Sequence, residues 1–275
     1  VATSGDTGKA ALEGFKDVEG TQILVFYPED GVSPMQKRQM TTQSGSNVGV
    51  CAVKGNFDDC QNGVKAIFTD KEIKEKMSAA GLMFSSANSI NWGRLVPQIV
   101  YYISSYASLA ESGEIALGDK INVVVPTGNF GNILAAYYAK QMGLPIHKLI
   151  CASNKNNVLT DFIETGCYDI DGRAFYKSLS PSMDILISSN LERLLYECAD
   201  RDGALVRTWM EQLASCGSFS IGGQRLTGLQ KVFWAGYADD KMTADEIRLV
   251  YERTHYVMDP HTAVGSCVLR RYRDQ

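Results

Sequence analysis

The sequence contains no run of about 20 apolar residues, the length that a helix needs to cross a bilayer, and no apolar core of a secretory leader. It also contains no Cys-x-x-Cys pair, and its seven cysteines are odd in number and widely spaced. These absences argue against a disulfide framework and against a structural zinc site, and the three histidines are too scattered for a metal cluster. We therefore expect reduced thiols, no bound metal and a cytoplasmic location.

Charge of either sign is not in large excess. The net charge is −4 over 275 residues, which gives no reason to expect nucleic acid or a membrane surface as a partner. Hydrophobic residues make up 45% and charged residues 21%, as in ordinary globular proteins. The length fits one large or two medium domains. Cys51 and Cys151 fall in apolar runs, where we expect buried thiols. The arginines at positions 270, 271 and 273 are expected on a solvated face.

Strand-like and helix-like segments alternate along the chain, which predicts an α/β fold with parallel sheets covered on both faces. Strands are predicted over residues 22–27, 48–53, 82–85, 121–125 and 148–152. Helices are predicted over residues 10–15, 35–43, 57–69, 91–111, 133–142, 191–198, 204–216 and 244–254, the last capped by Thr243. Beyond residue 157 the strand signals become sparse.

A glycine-rich turn joins the predicted strand 121–125 to the predicted helix 133–142. Its sequence is Thr127-Gly128-Asn129-Phe130-Gly131-Asn132. Glycines let the backbone approach an anion, and the free N–H groups of a first helical turn attract it. No Gly-Lys-Ser/Thr closes the turn, so it is not a nucleotide-binding P-loop. The turn suits the phosphate of a cofactor, although a glycine turn capped by Asn132 would be the purely structural interpretation.

A second turn of this kind begins the chain and includes Ser4, Gly5, Asp6 and Thr7. Its side chains could simply cap the following helix, or they could bind an anionic group of a substrate. Asn88, Ser89, Asn91 and Arg94 open the longest predicted helix. Ser89 or Asn91 could be only its N-cap. The helix dipole disfavours an arginine in a first turn, so a nearby anion would explain Arg94.

Three segments carry a resemblance to a known family. Residues 2–8, residues 86–91 with Arg94, and residues 127–132 resemble the signature segments of the threonine synthases, which are fold-type II pyridoxal-phosphate (PLP) enzymes of the tryptophan synthase β-like group. The resemblance implies two parallel-sheet, three-layer α/β domains, a smaller one at 1–88 and a larger one at 89–275, with PLP in the cleft between them. It also implies that both domains are incomplete in this chain. The lysine that forms the Schiff base with PLP is expected upstream of Val1, so the chain alone is expected to be inactive.

The resemblance also implies roles for individual residues. Gly128, Asn129, Phe130, Gly131 and Asn132 would hold the phosphate of PLP. Ser4, Gly5, Asp6 and Thr7 would embrace the amino-acid part of the substrate, with Asp6 as an unusual residue at its position. Asn88, Ser89, Asn91 and Arg94 would bind the substrate, with Asn91 and Arg94 on the phosphate that leaves. His261 would lie at a helix N-terminus near the cleft.

The implied reaction converts O-phospho-L-homoserine and water to L-threonine and phosphate by γ-elimination and β-addition of water. Two alternatives stay open at this point. A related fold-type II phospholyase or serine/threonine dehydratase would need no γ-elimination. A non-catalytic binding module would explain why the expected lysine is not in the sequence. Neither the oligomeric state nor any effector follows from the sequence.

Overall fold

The structure is a computed structural model that describes residues 1–3, 5–88 and 91–275. The chain divides into two compact units, Val1–Arg94 and Leu95–Gln275. The predicted domain boundary at 88/89 falls inside the first unit, and the assignment of a smaller and a larger partial domain stays a prediction.

The first unit is built around two parallel strands, β1 (Ile23–Pro28) and β2 (Val48–Val53), which pair in a register that sets Ile23 opposite Val48. Its helices are α1 (Asp6–Phe15), α2 (Pro34–Thr41), α3 (Phe57–Thr69) and α4 (Lys71–Ala79). Leu12, Val25, Tyr27 and Met40 form the centre of its core. Helix α2 begins with a capping box between Ser33 and Gln36, which fixes where this helix starts.

The second unit has a larger core around a parallel sheet with the strand order β3-β4-β7. Its strands are β3 (Ile121–Pro126), β4 (Ile146–Ser153), β5 (Cys167–Asp169), β6 (Ser218–Ser220) and β7 (Phe233–Tyr237). Its helices are α6 (Gly131–Gln141), α7 (Val158–Thr165), α8 (Leu191–Cys198), α9 (Gly203–Cys216), α10 (Gly223–Val232), α11 (Asp240–Thr254) and α12 (Pro260–Arg273), and α5 (Trp92–Glu111) leads into the unit. Helices α6 and α7 contribute Ile133, Leu134 and Phe162 to the core.

Most predicted elements appear within a few residues of their expected ends, but one predicted strand was wrong. Residues 82–85 form no strand, and Met83 in this segment is 90% exposed. An apolar stretch becomes a strand only when a neighbouring strand accepts its hydrogen bonds, and among the described residues none pairs with this one. Strands β5, β6 and β7 and helices α4, α7 and α10 were not predicted. Helix α11 begins after an N-cap at Asp239 and not at Thr243.

One expectation about side-chain burial was also wrong. Cys51 is exposed, because its side of the two-stranded sheet lies at the surface. Cys151 is fully buried, as predicted. Arg270 is exposed, as expected, and its guanidinium also pairs with the carboxylate of Glu246, whose side chain is only 3% exposed. A buried carboxylate needs such a partner. Within the described ranges, no helix combines the length and the apolar character required to span a membrane.

Candidate functional site

The turn between β3 and α6 is shaped by one residue in the left-handed region. Phe130 has φ 65° and ψ −2°, a conformation that is uncommon for a residue with a side chain. Its ring is buried and lies 5.9 Å from the ring of Phe233 on β7, so packing in the core holds the unusual backbone in place. The chain therefore leaves the sheet, reverses at Phe130 and enters α6 directly.

The first turn of α6 has backbone N–H groups that the protein leaves available. The side-chain oxygen of Asn129 accepts the N–H of Gly131 at 3.1 Å, and no side chain caps the helix at Phe130. In the part of the chain that the structure describes, the N–H groups of Asn132 and Ile133 have no protein acceptor. A first helical turn with unsatisfied N–H groups attracts an anion.

Two carbonyl groups of the same turn are held by another part of the second unit. Ser188 Oγ donates to the oxygen of Gly128 at 2.8 Å, and the backbone N–H of Asn190 donates to the oxygen of Asn129 at 3.0 Å. At Gly128 an added Cβ would lie 2.8 Å from the oxygen of Ser182, so only glycine fits there without movement of the backbone. We call residues 180–190, which make these contacts, the bracing segment.

Tyr102 on α5 orients the side chain of Asn132. The phenol O–H donates to the amide oxygen of Asn132 and lies 3.2 Å from its backbone oxygen. Because the amide oxygen is occupied in this way, the amide NH₂ group is the part of the side chain left to donate to a ligand. Burial raises the pKa of Tyr102 above its usual range, so the phenol stays protonated at neutral and moderately alkaline pH.

The strand next to β3 contributes a thiol that is not reactive. Cys151 on β4 is fully buried, and burial raises the pKa of its thiol to about 12. A thiol with such a pKa is protonated at neutral pH and is a poor nucleophile. Cys151 therefore fills space in the core beside the turn.

The first glycine turn is organised around Thr3, which is 1% exposed. Its Oγ1 accepts the N–H of Gly5 at 3.0 Å and the N–H of Gly8 at 2.9 Å. At Gly5, with φ 147°, an added Cβ would lie 2.4 Å from the side chain of Gln36. The turn is thus fixed from inside by one hydroxyl and from outside by α2. Thr7 lies half-buried in the first turn of α1.

The second polar cluster of the first unit is tied to this turn. Asn88 Oδ1 accepts the N–H of Ala2 at 3.0 Å, and its Nδ2 donates to the oxygen of Ala2 at 2.6 Å. Asn91 donates through Nδ2 to the oxygen of Ser86 at 2.7 Å, and its Oδ1 accepts the N–H of Gly93 at 2.9 Å. One guanidinium N–H of Arg94 donates to the oxygen of Ala87. Asn88, Asn91 and Arg94 therefore lie in one cluster next to the start of the chain.

Within each unit, the structure brings together the site residues that the sequence predicts. In the second unit these are Gly128, Asn129, Phe130, Gly131 and Asn132, and in the first they are Gly5, Thr7, Asn88, Asn91 and Arg94. Ser4, Ser89 and the side chain of Asp6 lie outside the described residues. The roles assigned to all of these residues stay predictions.

Sequence reasoning missed the residues that support the two turns. Thr3 was visible in its turn as a hydroxyl two residues before a glycine, but it was not assigned a role. Tyr102 was visible only as part of the apolar stripe of α5, and Ser188 and Asn190 lie in a stretch without periodic pattern. No sequence signal connects a residue with a partner 60 positions away, which is the separation of Ser188 from Gly128.

His261 lies in the first turn of α12, as predicted, after the N-cap Asp259. Its Nε2 accepts the N–H of Ser182 at 3.3 Å, and its Nδ1 lies 3.3 Å from a carboxylate oxygen of Asp259. This arrangement fits a neutral imidazole whose proton is on Nδ1. His261 therefore contacts the bracing segment, not the turn itself.

Comparison with known proteins gives a consistent result. No family model matches the chain. It is 46% identical over its full length to human "Threonine synthase-like 1", of which it covers 38%. It is 42% identical to a threonine synthase of Pseudomonas aeruginosa, with 99% of the chain and 55% of that protein aligned.

Solved structures agree with the sequence matches. The PLP-bound threonine synthase of Brucella melitensis superposes with a TM-score of 0.85 at 45% identity, over 98% of this chain and 55% of that one. The yeast threonine synthase superposes with the same TM-score at 39% identity, over 99% and 54%. The chain spans about half the length of these threonine synthases. The predicted α/β fold with parallel sheets, of the fold-type II kind, is confirmed.

Proposed function

For a chain that is homologous to threonine synthases along its whole length, we propose that it supplies the cofactor-phosphate site and the substrate-binding turns of a PLP-dependent threonine synthase. The reaction converts O-phospho-L-homoserine and water to L-threonine and phosphate. The observation that carries the proposal is the first turn of α6, where the N–H groups of Asn132 and Ile133 have no protein acceptor in the described ranges.

The residues of this turn fit a phosphate group. A phosphate needs donors and no nearby acceptor, and the oxygens of Gly128 and Asn129 are already held by Ser188 and Asn190. The fixed amide of Asn132 adds a side-chain donor. When bound, PLP supplies the electron sink that stabilises negative charge on carbon atoms of the substrate. The proposed part of this turn is to hold the phosphate and so to fix the ring relative to the substrate.

In the first unit we propose that two groups of residues bind two different parts of the substrate. The turn around Gly5 and Thr7 binds the amino-acid part of the substrate, together with Ser4 and Asp6. Arg94 binds the phosphate of the substrate, since a guanidinium can grip a phosphate through two donors. Asn88, Ser89 and Asn91 complete that site. The side-chain amide of Asn88 already pairs with the backbone of Ala2. The proposed contribution of Asn88 is therefore to hold the turn around Gly5 next to the site for the phosphate of the substrate.

We also propose a cytoplasmic location and small molecules as the partners of this protein. All seven cysteines are free thiols, which agrees with a reducing compartment. The modest net charge of −4 gives no electrostatic basis for binding to nucleic acid or to anionic lipid.

The proposal is tested with the full-length protein. We expect it to retain PLP and to release phosphate and threonine in equal amounts from O-phospho-L-homoserine. Asn132→Asp places a negative charge at the proposed phosphate site and should weaken PLP retention at least about 10-fold. Asn122→Asp adds the same charge at an exposed position on β3 and is the matched control.

Other outcomes would decide against the proposal in different ways. Formation of a 2-oxo acid from serine or threonine, with no threonine from O-phospho-L-homoserine, would identify a dehydratase. A full-length protein that retains no PLP would be a binding module of another kind. Equal PLP retention by the Asn132→Asp and Asn122→Asp variants would put the phosphate site elsewhere.

A further inference from the structure

Tyr168 on β5 has a hydroxyl whose contacts lead to the turn between β3 and α6. Its ring is 1% exposed, stacks on Phe219 at 5.5 Å and meets Phe162 edge-on at 5.8 Å. The ring thus belongs to the aromatic core. A buried phenol O–H is costly unless it is hydrogen-bonded, so the partners of this hydroxyl need to be identified.

The hydroxyl binds the backbone of the bracing segment at two points. It donates to the oxygen of Leu186 at 2.7 Å and accepts the N–H of Ser188 at 3.0 Å. It therefore fixes the two residues that flank position 187, one on each side. Ser188 is 6% exposed and donates through Oγ to the oxygen of Gly128 at 2.8 Å.

We infer that Tyr168 is a positioning residue for the cofactor phosphate, acting through Ser188 on Gly128. The inference rests on the proposed function. Because Ser188 holds the oxygen of Gly128, the orientation of the peptide group between Gly128 and Asn129 is fixed. The backbone conformation from there to the first turn of α6 is then fixed as well. The hydroxyl of Tyr168 reaches the turn through Ser188, so its effect on the phosphate is indirect.

The remaining anchors of the bracing segment explain why one hydroxyl matters at this point. Towards its beginning, Asp184 accepts hydrogen bonds from Asn154 at 2.7 Å and from Ser178 Oγ at 2.6 Å. Towards its end, Asn190 is bonded to Asn129. Between these anchors, Tyr168 supplies the two contacts that fix the backbone around residue 187. Ile187 itself is 42% exposed and gives little packing there.

The chain offers a matched control for this hydroxyl. Tyr106 on α5 is 4% exposed, and its O–H accepts the N–H of Gly118 at 2.8 Å and donates to the oxygen of Asp119 at 3.1 Å. Each phenol therefore holds one backbone N–H and one backbone oxygen in a loop. The loop of Tyr168 contacts the turn through Ser188, and no hydrogen bond joins Gly118 or Asp119 to the turn among the described residues, so Tyr106→Phe removes equivalent bonds without the proposed effect on phosphate.

The experiment compares the affinity for PLP with the affinity for pyridoxal, which lacks the phosphate, in the full-length protein. Tyr168→Phe removes both hydrogen bonds of the hydroxyl, of which the one to Ser188 bears on the turn, so it should raise the Kd for PLP about 3- to 10-fold and should leave the Kd for pyridoxal unchanged. Ser188→Ala should reproduce this result. The double variant should lose no more than either single variant, because both act through one contact with Gly128.

The outcomes separate this inference from the proposed function. If Tyr168→Phe and Tyr106→Phe bind PLP with equal affinity, or if Tyr168→Phe weakens PLP and pyridoxal alike, then Tyr168 is only a core residue and the inference is wrong. If the unmodified protein itself does not prefer PLP to pyridoxal, the proposed phosphate site fails first. Should Tyr168→Phe not fold, Ser188→Ala decides the question, because it deletes one hydroxyl and no ring.

Discussion

The glycine turn of Val1–Arg94 and the glycine turn of Leu95–Gln275 both lead into a helix, but the acceptors of their backbone N–H groups differ. In the first turn, the N–H groups of Gly5 and Gly8 are accepted by the hydroxyl of Thr3. In the second, the N–H groups of Asn132 and Ile133 have no protein acceptor among the described residues. The two turns thus differ in what holds them. The hydroxyl of Thr3 holds N–H groups of the first turn, whereas the bracing segment holds carbonyl groups of the second and leaves the N–H groups of Asn132 and Ile133 available.

This difference agrees with the kinds of ligand proposed for the two turns. A cofactor that stays bound through many turnovers benefits from donors that are available and held in place before it arrives. A substrate that enters and leaves in every cycle needs a turn that keeps its shape when it is empty, and a buried hydroxyl supplies that. Residues 180–190 hold the cofactor turn from outside, and Thr3 holds the substrate turn from inside.

The largest expected effect comes from breaking the second turn at Gly128. Gly128→Val would force a Cβ against the oxygen of Ser182 and the Cα of Met183, which are both backbone atoms. Overpacking of this kind costs about 3 kcal/mol, so we expect a loss of PLP affinity of roughly 100-fold, measured by equilibrium dialysis.

Gly228→Val is the control for Gly128→Val, because an added Cβ there meets no atom within 4 Å. A Gly128→Val protein that retains PLP like the Gly228→Val protein would show that the turn does not need its present shape.

The next prediction tests whether the phosphate of the substrate and the phosphate of PLP bind at different sites. Arg94→Ala should leave PLP bound and should lower kcat/KM for O-phospho-L-homoserine, since losing a charged hydrogen-bond partner costs about 1.5–3 kcal/mol, or about 10- to 150-fold. Arg94→Lys should rescue only in part, because an ammonium cannot reproduce a two-pronged contact. Competitive inhibition by inorganic phosphate should weaken in the Ala variant. Equal inhibition of both proteins would contradict the assignment.

A smaller effect is expected from removing the internal brace of the first turn. Thr3→Val keeps the shape of the side chain but leaves the N–H of Gly5 without its acceptor, and the N–H of Gly8 keeps only the oxygen of Gly5 at 3.1 Å. We expect a rise in KM of about 10-fold, with PLP affinity unchanged, from the ~1–3 kcal/mol cost of unsatisfied buried donors. Thr3→Ser retains the hydroxyl and should behave like the unmodified protein. If Thr3→Val lowers PLP affinity instead, the two turns do not divide their ligands as proposed.

The sequence was informative where function depends on a short local pattern. The strand, the glycine turn and the helix start at residues 121–142 follow from apolar runs and glycine spacing, and the structure has them there. The residues that support the turns could not be found in this way. Contacts such as Ser188 with Gly128 and Tyr102 with Asn132 join positions far apart in the chain, and they depend on how helices and loops pack.

The predicted strand at 82–85 failed for a related reason. Local apolar character suggested a strand, but strand formation depends on a partner, and partners are set by the topology of the sheet. Strand β7 is the opposite case, a strand that is present but was not predicted. Phe233-Trp234-Ala235-Gly236-Tyr237 has a glycine and lacks a run of β-branched residues, and it becomes a strand because β4 accepts it along its whole length.

The smallest effect is expected at the side-chain donor of the second turn. Tyr102→Phe removes the O–H that holds the amide oxygen of Asn132, so the amide can rotate and present its oxygen to the phosphate. Losing this orientation should weaken PLP about 3- to 5-fold, near 1 kcal/mol, and should not affect pyridoxal. Tyr101→Phe is the matched control, since the neighbouring phenol is 68% exposed. Because burial raises the pKa of Tyr102, its phenol is protonated below the unfolded-state pKa near 10, so the difference between the two variants should be constant from pH 6 to about 9. A difference that disappears on raising the pH within that range would show that the phenol ionises early and that Asn132 is oriented by another group.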